Sequence, residues 1–425
     1  MFRLRKSASP PNFINKRMKI MTSQKKKNYR KLWIPELIIL LILTLAVVIL
    51  FRDNSLDLRF AHFFYHPENI KDPWFEAHDL LWNFFYHAAP WFTGALLLGS
   101  LSVLLLAQFK PEFKKLRVYA IYVLLTVMLG PGLMVNSIFK PYWGRPRPRE
   151  VIELGGRYEY RTFYTPAFGQ PGKSFPCGHC SVGFTFTIFW WIFRRRNLRL
   201  GITSLLGSVV LGTAMGIGRM ADGGHFLSDV FWAALMTWFS GFWLYYFVLK
   251  IPQREDQLYT ASPKLAWMTQ FFDRKKGLSY ILYILLAIFT VTTLLLASPF
   301  YKDLQYSEPK SRIDNLLINV DHGDVEFNMA PLLDASFSFA GSAKGFGFPG
   351  NHVDLDCASS KQLTLCSLNR HGFFSDYETN IKIFVNPKFV TNLILNVQKG
   401  GLTTPNTKEL PSTYQLHLGK KNNQP

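Results

Sequence analysis

A basic strip rich in proline and arginine, KPYWGRPRPRE, follows a long apolar segment of the chain. It carries Lys140, Arg145, Arg147 and Arg149. Proline fixes the backbone torsion φ, so the alternating prolines keep the strip extended and its arginines project from a stiff backbone. A guanidinium donates paired hydrogen bonds to phosphate oxygens and an ammonium adds a point charge, so the strip predicts a phosphate-binding site. Contact with anionic lipid headgroups is the alternative interpretation.

The stretch SFPCGHCSVGF allows two kinds of chemistry. Cys177 and Cys180 have the CxxC spacing of a thiol-disulfide redox pair. The pattern of Pro176, Gly178 and His179 instead predicts a turn into a helix whose first N–H groups attract an anion. A redox CxxC lies in a βαβ fold, whereas this one begins an apolar helix, so phosphate binding is favoured over thiol-disulfide exchange. A disulfide between the two cysteines remains open as a structural or inhibitory feature.

A third cluster, GRMADGGHFLSDV, contains Arg219, His225 and Asp229. In a helix the histidine and the aspartate would share one face, so the carboxylate is expected to hold the imidazole in one tautomer. Arg219 precedes His225 across a glycine-rich turn and is close enough to share a ligand. One such histidine alone would be interpreted as structural, but three clusters of this kind indicate a functional site.

Seven apolar stretches position these clusters, and six of them are near the roughly 20 residues that a membrane-spanning helix needs. The fourth is shorter, and we expect its helix to begin nearer Pro176. They occupy residues 33–51, 88–108, 118–139, 181–193, 200–218, 226–249 and 278–298. Lysine and arginine concentrate in residues 1–31, 109–117, 194–199 and 250–277. This bias is typical of cytoplasmic segments, so all three clusters fall on the opposite, extracytoplasmic side. The net charge of +20 then indicates orientation and contact with anionic lipid, not a nucleic-acid partner.

The sequence therefore predicts a mostly α, polytopic membrane helix bundle with about seven transmembrane helices and a C-terminal extracytoplasmic β-rich domain. The expected divisions are a basic cytoplasmic segment (1–31), a transmembrane part (32–298) and the β-rich domain (299–425). In the last, β-branched and apolar residues alternate between glycine, asparagine and proline, a pattern that predicts short strands. Residues 315–325 resemble residues 392–402, which suggests stacked strand-and-turn units in a β-solenoid or sandwich.

Two further features lie on the predicted outer side. Cys357 and Cys366 stand in strand-like sequence and are expected to form a disulfide in an oxidising compartment, with two buried thiols as the alternative. Residues 52–86 are rich in aromatics, and we expect a partly helical lip beside the site at headgroup depth.

In order and spacing the three clusters read K-x6-R-P, P-x-G-H and R-x5-H-x3-D. This pattern resembles the tripartite signature of the type 2 phosphatidic acid phosphatase superfamily of membrane lipid phosphatases. The resemblance covers residues 88–249, which would form a six-helix phosphatase-like core, and does not reach the C-terminal domain. Cys177 stands where the family normally has serine, and Gly218 replaces the serine before the arginine.

The resemblance implies a role for each residue of the three motifs. His225 would attack phosphorus to give a phosphohistidine, Asp229 would orient it, and His179 would protonate the leaving group and later activate water. Phosphate oxygens would be bound by Lys140, Arg147, Arg219, Cys177 and Gly178. With three cations present, no metal or other cofactor is implied.

The implied protein is an integral-membrane lipid phosphatase of the bacterial inner membrane, with a cytoplasmic N-terminus and a periplasmic active site. Its substrate would be an outer-leaflet lipid: lipid A, undecaprenyl pyrophosphate, phosphatidylglycerol phosphate or phosphatidic acid. WGRPRP followed by Gly155 and Gly156 is similar to lipid A phosphatases. The alternatives are phosphotransfer to a lipid hydroxyl, a catalytically silent envelope-binding protein, and a thiol-disulfide oxidoreductase. The partner of the β-rich domain stays unassigned.

Overall fold

The computed structural model describes residues 29–53, 55–69, 73–168, 172–257, 276–296, 298–360, 363–404 and 410–419. Nearly all of the basic N-terminal segment and most of the basic loop 250–277 lie outside these described residues.

Helices form in all seven predicted apolar segments. Two further helices, α2 and α9, lie outside those segments. In chain order the helices are α1 (Arg30–Leu50), α2 (Ser55–Phe63), α3 (Leu80–Phe109), α4 (Arg117–Val127), α5 (Gly178–Thr185), α6 (Ile188–Phe193), α7 (Leu198–Ala221), α8 (Leu227–Trp243), α9 (Ile251–Gln257) and α10 (Lys276–Leu296). Helix α4 continues as a π-helix over Met128–Phe139, and α8 continues over Leu244–Val248. Helix α2 and a 3-10 turn at Phe75–His78 lie within the aromatic loop 52–86.

Within the described residues, four helical segments are long and apolar enough to cross a membrane. These are Arg30–Leu50, Leu80–Phe109, Pro111–Tyr142 and Leu198–Ala221. Their outward faces expose aliphatic side chains such as Leu41, Ile42 and Val210. Water penalises such surface and hydrocarbon does not, so these faces suit a lipid environment and a multi-pass membrane protein.

Among the described residues, four apolar clusters fill the helical part, and two of them are larger than the rest. One surrounds the fully buried rings of Trp191, Tyr122 and Tyr245. The other lies beneath the loops between the helices and contains Phe226, Leu154 and the sulfurs of the CxxC stretch. Because the second cluster is made by residues from several loops, it holds those loops in fixed positions relative to one another.

The C-terminal region is β-rich and forms two five-stranded sheets. The strands are β1 (Ser298–Glu308), β2 (Ile313–His322), β3 (Asp324–Met329), β4 (Phe337–Gly347), β5 (His352–Ser359), β6 (Thr364–His371), β7 (Phe374–Val385), β8 (Val390–Lys399), β9 (Leu402–Thr403) and β10 (Tyr414–Leu418). The sheet orders are β1-β4-β7-β3-β9 and β10-β8-β2-β6-β5. Apolar side chains of both sheets form one core, which includes Phe327, Ile383 and Leu395.

The two similar segments of the sequence are neighbours in this domain. Strands β2 and β8 pair in parallel, with Asn315 opposite Asn392 and Asn319 opposite Asn396. The Asn392 side-chain amide donates to Asn315 Oδ1 at 3.0 Å, and the Asn396 amide donates to Asn319 Oδ1 at 2.9 Å. Stacked asparagines of this kind satisfy each other's hydrogen bonds, which explains why the two segments share the same residues at the same spacing.

A disulfide joins Cys357 to Cys366. The two residues lie directly opposite each other on the antiparallel strands β5 and β6. The bond therefore links the last two strands of the second sheet.

Candidate active site

His225 lies in the loop between α7 and α8 and is almost completely buried. Its Nδ1 is 2.5 Å from the carbonyl oxygen of Ser174. A carbonyl can only accept, so Nδ1 carries the hydrogen and Nε2 keeps its lone pair. Among the described residues, Nε2 has no hydrogen-bond partner. The ring is thus held in the tautomer that presents a free nitrogen nucleophile.

Asp229, in the first turn of α8, reaches this histidine mainly through Ser174. The Ser174 hydroxyl donates to Asp229 Oδ2 at 2.6 Å, and the Phe226 N–H donates to the same oxygen at 2.9 Å. The distance from His225 Nδ1 to Asp229 Oδ2 is 3.6 Å, too long for the direct hydrogen bond expected from the four-residue spacing. The carboxylate is therefore an electrostatic neighbour of the imidazole, and the Ser174 carbonyl selects the tautomer.

Arg145 is fully buried and ties the basic strip to helices α2 and α8. Its guanidinium donates to Asp229 Oδ1 at 2.5 Å and to Asp57 Oδ2 at 2.7 Å. It also donates to the hydroxyl of Ser228 at 2.8 Å and to the carbonyl of Arg161 at 2.8 Å. Burying three charges is tolerable only when each is paired and hydrogen-bonded, so this network fixes the strip against the third motif.

Burial and three nearby cations determine the pKa of His225. Burial lowers the pKa of His225 well below its ordinary value of 6.5, and the positive charges of Arg219, Lys140 and Arg147 lower it further. The three side chains come from the end of the α4 segment, the basic strip and the last turn of α7. All of the cations predicted to bind phosphate thus act on the one imidazole predicted to attack it, and they keep that imidazole neutral.

His179, the second residue of α5, joins the same site through an aromatic ring. Its imidazole stacks on Tyr86 of α3, with ring centroids 5.1 Å apart and an interplanar angle of 18°. Arg219 lies over the same Tyr86 ring at 4.9 Å from the centroid. Tyr86 therefore aligns the P-x-G-H histidine with the arginine of the third motif.

The glycine-rich turn before His225 allows close packing. Gly223 adopts φ of 59°, in the left-handed region that favours glycine. A Cβ on Gly224 would lie 2.6 Å from Nη2 of Arg219, so a side chain at this position would require the guanidinium to shift. A Cβ on Gly218 would lie 3.3 Å from the carbonyl oxygen of Trp82, a close contact for the serine that the family normally has there.

The two cysteines of the CxxC stretch form a disulfide. Cys177 is fully buried, and its Sγ accepts the N–H of Cys180 at 3.3 Å, so it caps helix α5. A bonded sulfur has no thiol hydrogen, so the side chain of Cys177 cannot donate to a phosphate as the sequence suggested. Gly178 begins the helix, and a Cβ there would lie 2.6 Å from Oδ1 of Asn136.

A second group of charges forms the rim of the site. Arg149 donates to the carbonyl of Asp222 at 3.0 Å and to its carboxylate at 3.1 Å. Arg219 donates to the same carboxylate at 2.8 Å. Burial alone would raise the pKa of Asp222, but Lys344, Arg149 and Arg219 together hold it well below its ordinary value. The rim carboxylate is therefore ionised, and it connects the first and third motifs.

Sequence reasoning missed Asp57, Ser174 and Tyr86. Each supports a motif residue from a different part of the chain. Ser174 is two residues before Pro176 of the second motif, so its position could have indicated a role. Asp57 and Tyr86 belong to helices α2 and α3, which no motif marks.

Comparison with known proteins identifies the family. The sequence profile of the PAP2 superfamily matches residues 116–253, which contain all three motifs. A lipid A 4'-phosphatase of Francisella tularensis subsp. novicida is 31% identical over 194 residues, which cover 45% of this chain and 85% of that protein. This chain belongs to the PAP2 superfamily. The resemblance carried by the three motifs is confirmed.

Other similarities to this PAP2 superfamily member are more partial. A lipid A 4'-phosphatase of Rhizobium leguminosarum is 30% identical over 138 residues, which cover 31% of this chain and 54% of that protein. Among solved structures, a putative adhesin of Parabacteroides merdae matches 25% of this chain and 39% of its own, at 9% identity and a TM-score of 0.15. A score this low carries no information about the fold of either region.

Proposed function

We propose that this PAP2 superfamily member is a lipid phosphatase that removes phosphate from an outer-leaflet lipid through a phosphohistidine on His225. The observation that supports this most directly is the buried Nε2 of His225, which has no partner among the described residues. Its lone pair is available because Nδ1–H is used by the Ser174 carbonyl and because the nearby cations keep the ring neutral.

In the first step, Nε2 of His225 attacks phosphorus and the bond from phosphorus to the lipid oxygen breaks. His179 donates a proton to the departing oxygen, so the lipid leaves as a neutral alcohol. In the second step, His179 takes a proton from water, which attacks the phosphohistidine and releases inorganic phosphate and free His225. Every proton given in the first step is recovered in the second.

The charges around the site would stabilise both transition states. Lys140, Arg147 and Arg219 would neutralise the phosphoryl oxygens, which need cationic or N–H donors wherever negative charge develops. The imidazole becomes positively charged when it bonds to phosphorus, and Asp229 at 3.6 Å would favour that charge. These cations supply the charge neutralisation for which many phosphatases use metal ions, so a chelator should leave the rate unchanged.

Lipid A is the substrate we propose, because relatives named lipid A 4'-phosphatase match the part of the chain that carries the motifs. The lysine and arginine bias of the opposite segments supports a site on the periplasmic side of the inner membrane, where this lipid is accessible. The other outer-leaflet lipid phosphates remain outcomes of the test.

Phosphate release from purified lipid A, phosphatidic acid, phosphatidylglycerol phosphate and undecaprenyl pyrophosphate would test the proposal. We expect the wild type to release phosphate, with lipid A the best substrate. His225→Ala should be inactive and should still bind lipid, whereas His417→Ala, which removes an exposed histidine of β10, should match the wild type. Near-normal hydrolysis by His225→Ala would refute the mechanism, and preference for another lipid would refute only the substrate.

A further inference from the structure

The β-rich domain lies directly against the mouth of the phosphatase site. The ring of Phe346, near the end of β4, is 5.4 Å from the ring of His179 and 5.4 Å from the ring of Tyr86. An apolar ring from the C-terminal domain therefore covers the histidine that is expected to protonate the leaving group.

Two charged residues of the same strands reach the rim. Lys344 Nζ is 2.5 Å from a carboxylate oxygen of Asp222. Glu378 of β7 forms ion pairs with both Arg147 and Arg149 of the basic strip. In the pairing of β4 with β7, Lys344 and Glu378 are opposite each other, and Phe346 is two residues further along β4. The three side chains thus leave one face of the sheet together.

A further ion pair extends this contact. Arg157, in the loop after the basic strip, pairs with Asp324 at the start of β3. The helical side of the interface is mainly cationic and the β-rich side presents two carboxylates, so the two surfaces are electrostatically complementary. Complementary charges at separate points fix the orientation of the domain on the site.

The carboxylate of Glu378 forms an ion pair with Arg147, which is one of the cations proposed to bind the phosphoryl group. A carboxylate and a phosphate both accept paired hydrogen bonds from a guanidinium, so they compete for the same donors. Arg147 is almost completely buried, which leaves little room for both anions at once.

We propose that the β-rich domain is an autoinhibitory cap, in which the Glu378 carboxylate takes the place of substrate phosphate oxygens on Arg147 and Phe346 covers His179. Binding of a phosphorylated lipid displaces the carboxylate and opens the cap. This inference concerns regulation of the same site and rests on the proposed phosphatase function.

The test compares Glu378→Gln with Glu326→Gln in the full-length protein. Glutamine keeps the shape of Glu378 and removes its charge, whereas Glu326 pairs with Lys382 inside the β-rich domain and serves as the matched control. Glu378→Gln should raise kcat/KM for a phosphorylated lipid and lower the inhibition constant of inorganic phosphate, each roughly two- to fivefold, as expected for loss of a partly exposed ion pair. Glu326→Gln should leave both values unchanged.

Phe346→Ala provides a second variant and should also raise kcat/KM, since it uncovers His179 without altering any charge. Unchanged or weaker phosphate inhibition in Glu378→Gln would refute the cap. Thermal stabilisation by inorganic phosphate measures the same competition without turnover. If the wild type hydrolysed no lipid, the phosphatase proposal would fail, while tighter phosphate binding by Glu378→Gln would still support the cap.

A different observation points to a metal site elsewhere in the β-rich domain. His352 and His371 are opposite each other on β5 and β6, and Asp354 is two residues along β5 on the same face. One ligand atom from each of the three residues lies within 4.8 Å of the others. Asp354 Oδ2 is 3.4 Å from His352 Nε2 and 4.0 Å from His371 Nε2. Ligand bonds of about 2.0–2.2 Å in tetrahedral geometry place ligand atoms roughly 3.3–3.6 Å apart. Small rotations of the three side chains would therefore bring all of them within bonding distance of one ion.

Neighbouring groups already orient two of these ligands. His352 Nδ1 is 3.2 Å from the Gly350 carbonyl, which can only accept a hydrogen bond. Nδ1 therefore carries the hydrogen, and the lone pair of Nε2 is available to bind a metal. Lys302 Nζ is 3.3 Å from Oδ1 of Asp354, which leaves Oδ2 facing the histidines. Hydrogen bonds of this kind normally fix the ligands of zinc sites.

We propose that His352, Asp354 and His371 bind a divalent transition metal, with Zn²⁺ as the first candidate. Isothermal titration of Zn²⁺ into the full-length protein, purified without a histidine tag and stripped of metal, would test this. We expect one ion per chain for the wild type and for His417→Ala, and at least roughly tenfold weaker binding for His371→Ala. Equal affinity of His371→Ala and the wild type would refute the site.

Discussion

Replacing Arg145 by methionine should destabilise the protein more than any surface substitution. The guanidinium is fully buried, and it donates to two carboxylates, Asp57 and Asp229. Methionine fills much of the same volume and donates no hydrogen bond. The variant would therefore leave two buried anions that face each other without a cation between them.

The expected magnitude follows from the charge count. In the wild type, one cation and two anions give the network a net charge of −1, and the substitution changes it to −2. Removing one partner of a buried, hydrogen-bonded ion pair costs about 3–5 kcal/mol in free energy of unfolding. With an unfolding entropy of about 2.1 cal/mol/K per residue, that loss corresponds to a fall in melting temperature of roughly 3–6 °C for a chain of 425 residues. Arg145→Lys should recover only part of it, because an ammonium cannot match the planar fork that donates to both carboxylates.

Thermal unfolding in detergent micelles would measure the effect. Arg161→Met is the matched control, since the network uses only the main-chain carbonyl of Arg161. The double variant Arg145→Met with Asp57→Asn restores the net charge of −1 and should recover part of the lost stability. A melting temperature for Arg145→Met within about 1 °C of the wild type would refute the view that this ion pair network fixes the site.

Three further outcomes are expected. His225 must be neutral to attack, and its pKa lies below 6.5. The decline of kcat/KM on the acid side of the pH profile should therefore occur below pH 6.5, as pH drops through that lowered pKa. A decline that begins above pH 6.5 would contradict the role of His225 as the nucleophile. Ser174→Ala removes the hydroxyl that donates to Asp229 and keeps the carbonyl that accepts from His225. We expect kcat to fall about tenfold with little change in KM, a loss typical of removing one hydrogen bond to a charged group. Steady-state kinetics at saturating lipid would show it, and an unchanged kcat would remove Ser174 from the mechanism. Replacing Cys177 and Cys180 by serine should preserve phosphate release, because the disulfide caps a helix and supplies no hydrogen-bond donor to phosphate. Loss of activity with an unchanged melting temperature would instead assign the sulfurs a catalytic role.

Local sequence patterns determined much of the architecture. Runs of apolar residues predicted helices in seven segments, and each of them contains helix in the structure. The β-rich character of the C-terminal region followed from alternation and turn residues. The repeated asparagines at residues 315–325 and 392–402 correspond to strands paired in register. Each of these features depends on residues close in sequence, or on segments of similar sequence, so the amino-acid sequence displays them directly.

The three motifs could also be identified from the sequence, because catalysis requires specific residue types at fixed local spacings. The three cations that are proposed to bind phosphate, and both histidines, were predicted from those spacings and from the family resemblance. The tautomer of His225 could not be predicted, since its partner is a main-chain carbonyl 51 residues away, and main-chain atoms leave no trace in residue type.

Only the tertiary structure decided which distant side chains support the site. Asp57 meets Arg145 across 88 residues, and Glu378 meets Arg149 across 229. Such pairs depend on how whole helices and sheets pack, and a single acidic residue in a loop or strand looks the same in sequence whether it faces water or an arginine. The sequence thus determined the chemistry that the motifs offer, and the packing of the β-rich domain on the helices determined which distant side chains contact the motif residues.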